Sequence, residues 1–111
     1  MVGLHSVISM IDKIVKCALL HSKGVNPNKN YDAMRKMVYK LSEEGRLMDL
    51  SPLLQHEEPA VRLIAALCLR NMMPQEAEHT MKELFQIPTM VGINAKHTYK
   101  EWKAGNLTRL I

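Results

Sequence analysis

Apolar residues recur at three- and four-residue spacing along almost the whole chain, and no stretch keeps the strict alternation of a half-buried strand. That pattern commits the chain to helices. From Leu4 to Lys23, the positions Leu4, Val7, Ile8, Ile11, Ile14, Val15, Ala18 and Leu19 share one helix face, and Gly24 is placed to end it. Val25, Asn26, Pro27, Asn28 and Lys29 carry loop chemistry, with Asn30 as the N-cap of a second helix. Its inward stripe is Tyr31, Met34, Met37, Val38 and Leu41, and Gly45 stops it. A third, shorter helix covers about Leu47 to Gln55, with Pro52 marking a kink or restart. Pro59 opens a fourth whose run from Val61 to Leu69 is almost wholly apolar, which makes it the central one. Pro74 starts a fifth through about Gln86, with Ala77, Met81, Leu84 and Phe85 inward; Pro88 separates it from a last helix of roughly Thr89 to Ala104, closed by Gly105. The expected fold is all-α: about six helices in antiparallel hairpins, stacked as a HEAT-like α-solenoid or closed into a compact helical bundle.

The 111 residues fit one compact domain, 1–111, and 47% hydrophobic content against 23% charge is enough to offset the entropy of ordering it. Multidomain enzyme schemes are excluded. Charge is distributed unevenly: residues 1–40 carry seven bases and two acids, 41–83 four bases and eight acids, and 84–111 four bases and one acid. The centre is acidic and the ends are basic. Cys17 and Cys68 lie in apolar helical runs and outside any CxxC, so they read as buried free thiols of a reduced, cytoplasmic protein, with a disulfide as the alternative. Asp12, Lys13 and Lys16 interrupt the longest N-terminal apolar stretch, and no basic leader or small-residue cleavage site precedes it. Neither an export signal nor a membrane span is expected.

Residues 50–66 place leucines on one helix, then a short acidic turn at His56-Glu57-Glu58, then Pro59-x-Val61-Arg62 opening the next helix. This segment resembles a HEAT repeat. Pro59 starts the helix, Val61 and Ile64 or Ala65 face the partner, and Arg62 either pairs with a nearby acid or reaches back to the turn. With Pro74-x-x-Ala77 and the closing Glu101-Trp102-Lys103-x-Gly105-x-Leu107, the chain over about 30–108 resembles a small bacterial HEAT-like family of unknown function. Members of that family occur beside contact-dependent growth inhibition and related polymorphic toxin genes, where such small proteins serve as immunity proteins. The resemblance implies a non-enzymatic protein that binds the C-terminal domain of one cognate toxin, an RNase or other nuclease, and blocks its active site stoichiometrically. It supplies no catalytic residues.

The residues themselves offer no competing chemistry. His5, His21, His56, His79 and His97 form no metal-ligand spacing with each other or with the cysteines, so no metal or other cofactor is expected. Glu76-x-x-His79 lacks the second such motif that a di-iron site needs and reads as helix surface. No phosphate-binding loop or nucleophile elbow occurs. The candidate toxin-binding residues are the acids of the centre: Glu43, Glu44, Asp49, Glu57 and Glu58, four of them in turns that converge if hairpins stack. The ordinary reading is that Glu58, beside Pro59, complements a helix dipole. An alternative basic surface is Lys96, Lys100 and Lys103 on one face of the last helix, with Lys29, Arg35, Lys36 and Lys40 enriching the second. That surface frames the rival functions, a nucleic-acid-binding accessory protein or an interaction scaffold. Only five aromatic residues are present and none is interleaved with the bases for stacking, which disfavours direct nucleic-acid binding. Met34, Met37 and Met81 read as core; Met72 and Met73 read as exposed contacts, and Trp102 as packing the last helix on its neighbour.

Overall fold

The structure is a computed structural model that describes residues 4–111, with side chains from residue 8 onward. Among the described residues every regular element is helical: α1 (Leu4–Ser22), α2 (Pro27–Glu43), a 3-10 helix (Leu47–Gln55), α3 (Pro59–Leu69), α4 (Pro74–Leu84) and α5 (Met90–Lys103). The all-α expectation holds. The chain falls into two compact units, one ending at Arg46 and the other spanning Leu47–Ile111.

In the first unit α1 packs on α2, burying Ile14 and Ala18 with Met34, Val38 and Leu41. Ile11, Val15, Leu19, Tyr31 and Met37 are half-buried, while Ile8 is exposed. Ile8 lies about 120° round the helix from Ile14, at the edge of the stripe. The side chains of Leu4 and Val7 lie outside the described residues. The turn after α1 is a Schellman motif: Gly24 N–H donates to the His21 carbonyl at 3.1 Å and Val25 N–H to that of Leu20 at 2.9 Å, with Gly24 at φ 75°. The same bond pattern recurs after α5, where Gly105 sits at φ 77°.

Asn30 is not the N-cap of α2. The helix begins one turn earlier, with Pro27 in its first turn and Asn26 as cap in the left-handed region, φ 41°. A cap at Asn30 would waste the fixed φ of Pro27, which is preset for a first helical position. Asn30 instead closes the loop from inside the helix, its Nδ2 donating to the carbonyls of Val25 at 2.8 Å and Asn26 at 3.2 Å.

In the second unit α3 contacts the 3-10 helix, α4 and α5, the central place its apolar sequence predicts. It buries Val61, Leu63, Ala65, Ala66, Cys68 and Leu69. Leu47, Leu50 and Leu54 of the 3-10 helix and Ala77, Met81 and Leu84 of α4 complete the core. The 47–55 segment is tighter than an α-helix, with Pro52 inside it; a proline removes one donor from the ladder and restricts the residue before it. Phe85, expected inward, is half-buried, as is Leu53. Gly92 and Ala95 of α5 are buried, and Gly92 packs against the main chain of Leu84 and Ile87.

Candidate functional site

The turn between the 3-10 helix and α3 is held from within. Arg62, one turn into α3, folds back so that Nη1 donates to the carbonyl oxygens of His56 at 2.7 Å and Glu57 at 3.2 Å. Of the two roles open to Arg62, pairing with a nearby acid or reaching back to the turn, the structure shows the second. The backbone N–H of Glu58 donates to His56 Nδ1 at 3.0 Å, which puts the neutral ring's proton on Nε2. Three main-chain groups of a three-residue turn are thereby fixed by side chains. Glu57 and Glu58 are exposed, and Glu58 caps α3 in extended geometry without a side-chain cap bond. Its carboxylate faces water at a helix N-terminus, where the dipole favours negative charge.

The other acidic candidates belong to other segments of the chain. Asp49 is exposed on the 3-10 helix of the second unit, while Glu43 and Glu44 are exposed at the end of α2 in the first. Glu43 borders a shallow open hollow with Asp32, Arg35, Lys36, Tyr39 and Lys40, in which the Arg35 guanidinium stands 5.5 Å over the Tyr39 ring centre. The structure thus brings together Glu57 and Glu58 on one braced turn. The expectation that no aromatic is interleaved with the bases does not hold: Arg35 lies over Tyr39 in α2, and Lys82 and Lys103 lie over Tyr99.

The three lysines of the last helix divide. Lys96 and Lys100 are exposed and have no ion-pair partner among the described residues. Lys103 is drawn off by Glu78 of α4, which also pairs with Lys82 at 3.3 Å. Both ammonium groups lie 5.6 Å from the Tyr99 ring centre, and Lys103 is 4.8 Å from that of Trp102. The hydrogen bond from Lys103 holds the Glu78 carboxyl below its ordinary range, and Glu78 in turn raises Lys82. Tyr99 meets Phe85 edge-on at 5.5 Å and Trp102 at 6.2 Å, so the half-buried Trp102 joins the α4–α5 packing through Tyr99. Lys103 is therefore part of a helix–helix staple and not of an open basic face. The sequence contains a cue to this in Glu78-x-x-x-Lys82, but the cross-helix partner has no local signal.

Cys68 is buried, and burial pushes its thiol up to about 12 against the opposing charge of Arg70, so it is a protonated core group. Cys17 is half-buried. Among the described residues no cluster of three His, Cys, Asp or Glu side chains is arranged to hold a metal ion, and no helix is long and apolar enough to cross a membrane. Of the methionines, Met72 is exposed and Met73 half-buried, while Met90, which the sequence reading passed over, is more exposed than either.

No protein-family model, curated protein or solved structure matches the chain.

Proposed function

We propose that this protein is a stoichiometric toxin neutraliser: an immunity protein that binds the nuclease domain of a cognate contact-dependent growth inhibition toxin in the cytoplasm and occludes its active site. The reading rests on the resemblance of residues 50–66 to a HEAT repeat and of about 30–108 to a small bacterial HEAT-like family of unknown function whose members occur beside such toxin genes. The observation that carries it is the braced acidic turn, in which Arg62 and His56 fix the backbone around two exposed carboxylates. A contact surface ordered before binding loses less entropy on association. Two adjacent negative charges on such a surface match the positive cleft with which a nuclease grips phosphates, accelerating encounter and competing with substrate.

The test is stopped-flow association with the toxin domain encoded beside this gene, in catalytically disabled form. The double charge reversal Glu57→Lys/Glu58→Lys slows association about tenfold at low ionic strength and only about twofold at 0.5 M salt, because screening removes the steering. An association rate equal to that of the wild type at low salt removes this turn from the interface. In cells expressing the active toxin, the wild-type protein restores growth; death in its presence contradicts immunity.

A further inference from the structure

Of the two side chains that brace the turn before α3, one changes its hydrogen-bonding role with pH and the other does not. The backbone N–H of Glu58 can only donate, so the His56 Nδ1 that it meets at 3.0 Å carries a lone pair, and the ring that makes this bond is neutral. A proton added to Nδ1 replaces that lone pair by an N–H, and two donors then face each other. Histidine is the side chain whose charge ordinarily changes between about pH 5 and 8. Arg62 keeps its charge throughout, and its bonds to the carbonyl oxygens of His56 at 2.7 Å and Glu57 at 3.2 Å do not depend on the ring. Acidification therefore frees the Glu58 amide while the two carbonyls before it stay pinned.

The charged surroundings decide what the protonated ring does next. Glu57 and Glu58 follow it in the turn, and both are exposed. Asp49 is the only charged side chain of the 3-10 helix and Arg62 the only one of α3, the two elements that the turn joins. Helix α4 also meets the 3-10 helix; its Glu78 pairs with Lys82 and Lys103, its His79 pairs with Glu83, and Glu76 is exposed in its first turn. The carbonyls of His56 and Glu57 are taken by Arg62, so the acceptors that the turn offers an imidazolium are the carboxylates of Glu57 and Glu58. We propose that His56 is a proton-operated catch on this turn: neutral, it holds the Glu58 amide, and protonated, it lets go and pairs with one of those two carboxylates. The turn then loses order and one unit of net negative charge in a single step. The catch belongs to the chain itself and stands whether or not the turn meets a toxin.

Amide hydrogen exchange of the full chain, resolved by NMR between about pH 8 and 5 and corrected for the intrinsic pH dependence of exchange, reads the catch. Protection of the Glu58 amide falls about tenfold over that range, the loss expected for one hydrogen bond, and follows the titration of the His56 ring signals. The amide of Leu69, in the buried part of α3, keeps its protection. His56→Asn separates the acceptor from the proton, because an asparagine side-chain oxygen accepts from the N–H two residues on and does not titrate; Glu58 stays protected at every pH in this variant. His56→Phe has no acceptor and leaves that amide unprotected throughout. Equal protection of Glu58 at both ends of the range in the wild type overturns the inference. A tenfold fall that persists in His56→Asn overturns it as well, since the carboxylates and not the ring would then be its source.

Discussion

Replacing Arg70 by methionine destabilises the protein by about 3 kcal/mol and releases the C-terminal segment. Arg70 follows α3 directly and is only 3% exposed. Its guanidinium donates to three main-chain carbonyls: Leu67 at 2.7 Å and Leu110 at 2.8 Å through Nη1, and Arg109 at 2.5 Å through Nη2. Two of these acceptors belong to a stretch after Gly105 that forms no helix or strand, yet Ile111 at its end is buried. The charge-assisted bonds therefore replace the secondary structure that this segment lacks. Methionine matches the aliphatic stem but donates nothing, and each carbonyl left buried without a donor costs about 1–3 kcal/mol. The segment limits that cost by detaching and hydrating its carbonyls, so the loss falls short of three full penalties. Denaturant unfolding gives the magnitude, and a midpoint of thermal unfolding lower by roughly 10 °C accompanies it. Limited proteolysis reports the release, with cleavage after Arg109 in the variant under conditions that leave the wild type whole. A loss below about 1 kcal/mol with an uncut tail contradicts this role, since it places Arg70 among ordinary surface positions.

The second large effect has a sign that local propensity gets wrong. Gly92 lies within α5, where alanine is normally the better helix former by about 1 kcal/mol. A Cβ at this position would meet the Ile87 carbonyl oxygen at 2.0 Å, its carbon at 3.0 Å and the Leu84 carbonyl oxygen at 3.2 Å. All three are main-chain atoms, Leu84 at the end of α4 and Ile87 in the link to α5, so no side chain can swing away to admit the methyl group. Helix α5 must move off α4, opening the Phe85–Tyr99 contact and the Glu78–Lys103 pair that join the two helices. Overpacking of this kind costs more than the propensity returns, and Gly92→Ala destabilises by about 2–3 kcal/mol. Equilibrium unfolding of Gly92→Ala checks the sign directly: a variant as stable as the wild type, or more so, means that the close approach of α5 to α4 does not exist in solution.

Where the sequence was legible, the cause was local. Pro59 and Pro74 begin their helices because proline's fixed φ and missing donor cost nothing in a first turn. Gly24 and Gly105 end theirs because a left-handed glycine lets its own N–H and that of the following residue turn back onto the helix. The almost uninterrupted apolar run from Val61 to Leu69 announced a helix with neighbours on several sides, and α3 has them. The reach-back of Arg62 is one of the two roles its sequence position allows, because its partners lie within six residues. Errors arose where two local rules competed. Asn30 and Asn26 are both suitable caps, and only the identity of Pro27 decides between them. What the sequence could not convey depends on residues far apart along the chain. Arg70 reaches Leu110 across 40 positions and Lys103 reaches Glu78 across 25, and neither pairing leaves a periodic trace. Gly92 offered one cue, a glycine inside an otherwise regular helix, which marks either weakness or close approach.

The candidate surface divides in the same way. Glu57 and Glu58 were visible as an acidic turn, but its stiffness depends on the His56 ring accepting from Glu58, a contact with no sequence signature. Helical spacing sets Lys96, Lys100 and Lys103 on one face, yet a carboxylate on the preceding helix withdraws Lys103.

The central proposal is that this chain acts by occupying a toxin, and calorimetric titration with the catalytically disabled C-terminal domain of a toxin gene found beside its own tests it most directly, using an unrelated toxin domain as the control. The account predicts saturable one-to-one binding to the cognate domain alone, with a dissociation constant in the nanomolar range that a specific interface of about 1,600 Å² commonly reaches. No heat with the cognate domain, or equal heat with both domains, contradicts it.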